Sequence, residues 1–384
     1  MGKSQMGMDL QSYLTIAVEN IIKDSIRATF DDPKESAFLL KFAAAARRAA
    51  KRREKLKQAG EHLPPFLIAS LTRGCNLHCA GCFAHAVTDA GDGTVACGST
   101  AGSAPRAEAK EPMNADDWDR VFKEAEDLGV SFVFLVGGEP LLCRDVIERA
   151  GAHGSILFPV ITNGMLLNDA YIRLFDAHRN LLPVISIEGG EASTDDRRGE
   201  GIYQVLRRTM AQLKQQGLPF GVSITVTTEN LEEVTGVTFL QELQESGCRM
   251  VLYVEYVPTG PEDLHLAPAE AHRLQMEQAI LRAREVHDRM VILAFPGDEK
   301  AYGGCLAAGR GFFHINAEGD AEPCPFAPYS DINVRETSLR EAIRSRLFAR
   351  LEKHDMLQED HDGGCALAGK GEEIMSLLSA AEEE

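Results

Sequence analysis

Between residues 8 and 29 apolar side chains recur at helical spacing, with Leu10, Leu14, Ala17, Ile21 and Ala28 on one stripe, and the run predicts a helix. The polar break FDDPKES ends it and starts a second helix that runs to about Gly60. From Pro64 the pattern changes. Six short apolar runs predict strands: FLIASLT (66–72), SFVFLVG (131–137), SILFPVIT (155–162), LLPVISIE (181–188), FGVSITVT (220–227) and MVLYVEYV (250–257). Helical spacing returns between them. In NADDWDRVFKEAEDLG, Asn114 reads as an N-cap and Gly129 as a stop, and IYQVLRRTMAQLKQQG stops at Gly217.

Apolar strands that each precede a helix imply an α/β fold, a parallel sheet wrapped by helices. Six such repeats fit a partial (β/α)6 TIM-like barrel or a doubly wound sheet, and both place chemistry at the C-terminal ends of the strands. Residues 1–63 then form a helical N-terminal extension and residues 64–300 the barrel. The stretch 86–112 breaks the pattern, being rich in Gly, Ala, Ser and Thr with little to bury. A loop of that length following the first strand suggests a lid over the site, with an idle insertion as the alternative.

Composition narrows the class. The 384 residues are 44% hydrophobic and 26% charged, as in a soluble globular protein. No apolar run approaches the roughly 18 residues a membrane span needs, and no secretory signal opens the chain, so a cytoplasmic protein is expected. A net charge of −18 speaks against nucleic-acid binding. Residues 41–58, KFAAAARRAAKRREKLKQ, nevertheless carry eight basic residues and one acidic one. This is either a solvated helix packed through its alanines or a docking face for an acidic electron carrier, an anionic substrate or a membrane surface.

Nine cysteines in a reducing compartment point to metal or redox chemistry before disulfides. Three of them, Cys75, Cys79 and Cys82, stand as C-x3-C-x2-C directly after the first predicted strand. Structural zinc sites usually close with four ligands. Three thiolates can instead hold three corners of a 4Fe–4S cluster and leave the fourth iron open to a ligand.

This motif resembles that of the radical S-adenosylmethionine (radical SAM) superfamily, in which the open iron binds SAM and an electron from the cluster cleaves it to a 5′-deoxyadenosyl radical. The resemblance extends to VGGEP, with Gly137, Gly138 and Glu139 implied at the methionine amino group of SAM. It also covers ITNG, with Asn163; SIEG, with Ser186 and Glu188 near the ribose; and VEYVPTG, with Val257 near adenine. Relatives often place an aromatic residue before the third cysteine. Here that position is Gly81, and Phe83 is the candidate substitute.

Cys305 and Cys324 frame Gly319 as C-x13-G-x4-C, which resembles the opening of twitch and SPASM domains and implies that residues 301–384 form a small auxiliary-cluster domain. Only Cys365 follows, in DGGC. The resemblance therefore implies one auxiliary 4Fe–4S cluster held by Cys305, Cys324 and Cys365, with Asp362, His361 or a substrate atom completing it. Cys97, Cys143 and Cys248 match no ligand spacing, and Trp118 reads as packing. The implied activity is hydrogen abstraction from a small molecule or cofactor precursor, leading to oxidation or rearrangement. Maturation of a peptide or protein is the alternative, and a non-enzymatic iron–sulfur carrier is the alternative of another class. A flavodoxin- or ferredoxin-type reductase is the implied partner.

Overall fold

The structure, a computed structural model, describes residues 10–28, 33–84, 110–295, 304–358 and 365–382. Most of the lid segment, with Cys97, and both His361 and Asp362 lie outside the described residues.

Helices α1 (Leu10–Ala28) and α2 (Pro33–Gln58) precede β1 (Phe66–Ser70). Strand and helix then alternate: α3 (Ala115–Leu128), β2 (Phe132–Val136), α4 (Arg144–Ala152), β3 (Phe158–Thr162), α5 (Asp169–Ala177) and β4 (Leu181–Ser186). The pattern continues through α6 (Glu191–Arg198), α7 (Ile202–Gln215), β5 (Phe220–Val226), α8 (Leu231–Val234), α9 (Val237–Ser246) and β6 (Cys248–Glu255). After α10 (Glu270–Val286) come β7 (Val291–Phe295), a short hairpin of β8 (His314–Ile315) and β9 (Ala321–Glu322), and helices α11 (Leu339–Ala342), α12 (Arg346–Lys353) and α13 (Gly371–Glu382).

The strands follow the order β7-β6-β5-β4-β3-β2-β1-β8-β9, and every pair except β8–β9 is parallel. A doubly wound sheet reverses its strand order at a switch point. From β1 to β7 this sheet never does. Right-handed crossovers in sequential order put the covering helices on one face, which is the arrangement of a partial barrel. The sheet runs one strand past the six expected, because the short apolar run at β7 pairs with β6.

The outer face carries the main core. Leu67, Val133, Leu135, Val160, Val222 and Val251 pack there with Trp118 and Phe122 of α3 and Leu206 and Leu213 of α7. α3 is fixed at both ends as expected. The Asn114 side chain accepts from the Asp116 and Asp117 amides, Asp117 returns a bond to the Asn114 amide, and Gly129 closes the helix in the left-handed region at φ 91°.

Among the described residues, the inner face is covered only at its N-terminal end. Val18, Ile22, Phe42 and Ala46 of α1 and α2 pack on Phe132, with Phe66 and Phe134 beside it. Ile21 meets the patch of Val184, Met250 and Val291. The two helices close the bottom of the barrel, while further up Ile68, Val136, Ile161, Ser186, Ser223 and Val254 remain half-buried. Among the described residues, the upper barrel is the open end.

The basic stretch of α2 is only partly a solvated face. Arg53 is buried; its Nη1 donates to the Gly129 carbonyl and, at 3.3 Å, to Ser131 Oγ, and burial lowers its pKa to about 10. Arg52 Nη1 donates to the carbonyls of Glu126 and Asp127 at 2.7 Å each, satisfying the C-terminal end of α3. These contacts place the basic stretch where β2 begins, the end of the barrel opposite the cysteine loop.

β8 extends the sheet beside β1, with Ile68 opposite His314, and the hairpin turns at Gly319, φ 91°. Phe313, Ile315, Val334, Leu339 and Leu347 join the barrel's own core. The expected boundary at 300/301 falls in 296–303, outside the described residues.

Candidate active site

β1 delivers the chain at Ser70 into a loop that carries Cys75, Cys79 and Cys82, none of them in a disulfide. The GGEP turn after β2 holds this loop in place. The Gly138 amide donates to the Thr72 carbonyl at 2.7 Å and the Glu139 amide to the Gly74 carbonyl at 2.8 Å. A Cβ on Gly138 would stand 2.2 Å from the Gly74 oxygen, and one on Gly137, at φ 135°, 2.5 Å from the Thr72 oxygen. Both glycines are required by the approach of two backbones.

The Glu139 carboxylate is fully buried and already engaged. One oxygen accepts from the Leu141 amide at 3.0 Å and Thr162 Oγ1 at 2.7 Å; the other accepts from the Asn163 amide at 2.8 Å. Burial pushes its pKa up against these three bonds. Glu139 thus ties the end of β2 to the end of β3. Asn163 then reaches the cysteine loop, its Nδ2 donating to Asn76 Oδ1 at 2.8 Å and to Cys75 Sγ at 3.7 Å. The Leu77 amide gives Cys75 Sγ a second donor at 3.5 Å.

Glu188 plays the corresponding part after β4. One oxygen accepts from Arg197 Nη1 at 2.7 Å and Arg198 Nη2 at 2.5 Å, and the other from the Thr225 amide at 3.0 Å. Arg197 grips the loop by exchanging bonds with residue 80: its Nε donates to the Ala80 carbonyl at 3.1 Å, and its carbonyl accepts from the Ala80 amide at 2.9 Å. Arg198 Nη1 approaches Cys79 Sγ at 3.9 Å. Burial pulls the Arg197 guanidinium down, but Glu188 and the Cys82 and Cys79 sulfurs outweigh it and the net shift is upward.

The three sulfurs share one electrostatic neighbourhood. Burial raises the Cys75 and Cys79 thiols first, and Cys82 raises each of them further. Among the described residues no three His, Cys, Asp or Glu side chains close on a single metal ion. A cuboidal cluster asks for something else, three thiolates at separate corners, and a loop with three thiols, no fourth and donors aimed at two sulfurs fits it. The buried Nε of Arg198 has no partner, which suits an anion at the same place.

Gly81 has a tertiary explanation. Its φ is +60°, and a Cβ there would lie 2.2 Å from the hydroxyl of Tyr256 and 2.9 Å from its ring. The aromatic group beside the third cysteine is therefore supplied by the end of β6. Arg197 stacks over the Tyr256 ring at 5.9 Å, and the Tyr256 hydroxyl donates to Asp263 at 2.9 Å. Phe83 packs edge-on against Phe326 of the C-terminal segment, 5.1 Å between centroids. Ser186 is half-buried at the end of β4, paired in register with Ser223, and Val257 is buried just past β6.

A polar seam joins the hairpin to the barrel. Ser70 Oγ and His314 Nε2 lie 2.7 Å apart, His314 Nδ1 and Glu322 2.7 Å apart, and Arg73 makes a two-pronged pair with Glu318 at 2.7 and 2.8 Å. None of Arg197, Arg198, Tyr256 or His314 stood out in the sequence, because each owes its place to a partner distant in the chain. The adjacent basic pair in TDDRRGEG, just after SIEG, was the one available signal.

Cys324 and Cys365 are buried within the main core, and the half-buried Cys305 packs against it. Asp362 lies outside the described residues. Cys143 and Cys248 behave as ordinary thiols, pushed by burial to about 11 and about 12.

Residues 69–240 match the family model described as the radical SAM superfamily. These residues form a radical SAM domain. It is 28% identical over 322 residues to the AdoMet-dependent heme synthase of Methanosarcina barkeri, covering 77% of this chain and 86% of that one. It is 27% identical over 294 residues to the PqqA peptide cyclase of Rhizobium meliloti, covering 72% and 73%. Among solved structures, SuiB of Streptococcus suis bound to S-adenosylmethionine superposes with a TM-score of 0.56 at 18% identity, over 79% of this chain and 68% of that one, a likeness of fold. The chain is a radical SAM enzyme, and its radical SAM domain implies a 4Fe–4S cluster and SAM as cofactors. No helix among the described residues is long and apolar enough to cross a membrane.

Proposed function

We propose that Cys75, Cys79 and Cys82 hold the 4Fe–4S cluster and that this radical SAM enzyme modifies a small molecule or cofactor precursor in its upper barrel. The observation that carries the site is the cysteine loop at the open end of the barrel, clamped from both sides by the Glu139 and Glu188 networks. Bound there, the cluster and SAM supply a one-electron reductive cleavage that yields a hydrogen-abstracting radical.

The chain's own residues position and shield that chemistry. Gly137 and Gly138 offer backbone toward SAM, while Glu139, with its bonds already committed, fixes the turn that presents them. Asn163 and Ser186 contribute polar groups at the ends of β3 and β4, Val257 and Tyr256 an apolar and aromatic wall, and Glu188 holds the arginines. Phe83 serves the contact with the C-terminal segment. There Cys305, Cys324 and Cys365 would hold an auxiliary cluster that accepts an electron from the substrate.

Likeness to a heme synthase over 86% of that protein supports a cofactor precursor as substrate. Likeness to the PqqA peptide cyclase, over 73% of its length, supports a peptide as the second reading. A flavodoxin- or ferredoxin-type protein would deliver the electron in the cytoplasm, at the barrel's open end. The test is anaerobic reconstitution followed by a 5′-deoxyadenosine assay with dithionite, repeated with Fe-coproporphyrin III and with a synthetic PqqA peptide. Product from the tetrapyrrole alone supports the first reading and product from the peptide alone the second. Failure of the reconstituted protein to form 5′-deoxyadenosine overturns the assignment of the site.

A further inference from the structure

The pairing of Glu188 with two arginines is more than a support for the loop. Arg198 has one Nη on the Glu188 carboxylate and the other 3.9 Å from Cys79 Sγ, with its side chain only 10% exposed. Its Nε is buried and has no partner, and a guanidinium out of water with an unmet donor calls for negative charge nearby. Arg197 sits against Ala80, one residue past the same cysteine. Two guanidinium groups against one carboxylate leave one net positive charge beside the Cys79 and Cys82 sulfurs. A 4Fe–4S cube held by three thiolates carries one negative charge when oxidised and two when reduced. A fixed positive charge and a hydrogen bond to sulfur therefore favour the reduced form.

Resting on the cluster assignment above, we propose that Arg198, poised by Glu188, is a positioning residue for the Cys79 thiolate that makes the cluster easier to reduce. Glu188 acts in the opposite electrostatic sense, since its charge offsets part of what the arginines provide. The two side chains touch, yet their removal should move the potential in opposite directions. A loop that had merely loosened would not separate them in this way.

The experiment is an EPR-monitored redox titration of the anaerobically reconstituted full-length protein without SAM, with dithionite as the electron source and iron content measured on each sample. Arg198→Met is expected to lower the midpoint potential, Arg198→Lys to lower it less, and Glu188→Gln to raise it. If Arg198→Met takes up no iron, Arg198→Lys and Glu188→Gln carry the comparison by the opposite signs of their shifts. Unchanged midpoints, or shifts of one sign in all the variants, overturn the inference while leaving the cluster site intact. A parent protein that binds no cluster overturns the site assignment, and this inference with it.

Discussion

Glu139 and Gly81 show how single residues support a site through their contacts within the protein. Replacing Glu139 with Gln turns one of its oxygens into an amide nitrogen, and wherever that nitrogen sits it faces an N–H or O–H donor already present. The expected cost is about 1–3 kcal/mol for a buried donor left unmet, read as a lower unfolding midpoint of the apo protein. Stability equal to the parent would show that the carboxylate is not the tie. At Gly81 a methyl group collides first with the Tyr256 hydroxyl. Gly81→Ala should destabilise the fold, and adding Tyr256→Phe, which removes only that oxygen, should recover part of the loss. A double-mutant cycle measures the coupling, and strictly additive effects would exclude the contact as the cause.

Elements decide what the basic stretch can do. The exposed Arg47, Arg48, Lys51 and Lys55 sit on α2 at the entrance of β2, whereas the cysteines follow the exit of β1, with roughly 16 Å of strand between the two ends. Neutralising these four residues should leave reduction by flavodoxin as fast as in the parent. Slowing with flavodoxin but not with dithionite, and weaker at high salt, would restore α2 as the docking face. Arg52 and Arg53 do not belong in that experiment. Their bonds close the end of α3, and their loss tests stability instead.

In the molecule as a whole one continuous sheet runs from the barrel into the hairpin of the C-terminal segment, and the Arg73–Glu318 pair and the His314 seam join the two regions that carry the cysteines. Replacing Cys75, Cys79 and Cys82 with Ala should abolish 5′-deoxyadenosine formation and remove about four irons per chain. Iron retained in this triple variant would belong to Cys305, Cys324 and Cys365. No iron at all would leave the C-terminal segment as a cover for the substrate side only. Cluster assembly must also displace protons, since burial keeps the Cys75 and Cys79 thiols above their usual range. Iron uptake should therefore slow as the pH of reconstitution falls, and a pH-independent rate would argue against thiol deprotonation as part of assembly.

The sequence alone determined what local pattern and short spacing can carry. Six of the barrel strands, the caps of α3 at Asn114 and Gly129, and the three clustered thiols depend on neighbours within a few residues, and all are present. VGGEP, ITNG and SIEG were legible as motifs, but the partners of their side chains were not. Glu139 and Glu188 are committed to Thr162, Asn163, Arg197 and Arg198 because the ends of parallel strands converge in space, which no one-dimensional pattern displays. Tertiary structure alone decided that Tyr256 fills the space over Gly81, that Arg53 is buried, and that α1 and α2 close the barrel from below. Hydrophobic period records which face of an element is buried, whereas the identity of what covers it depends on topology.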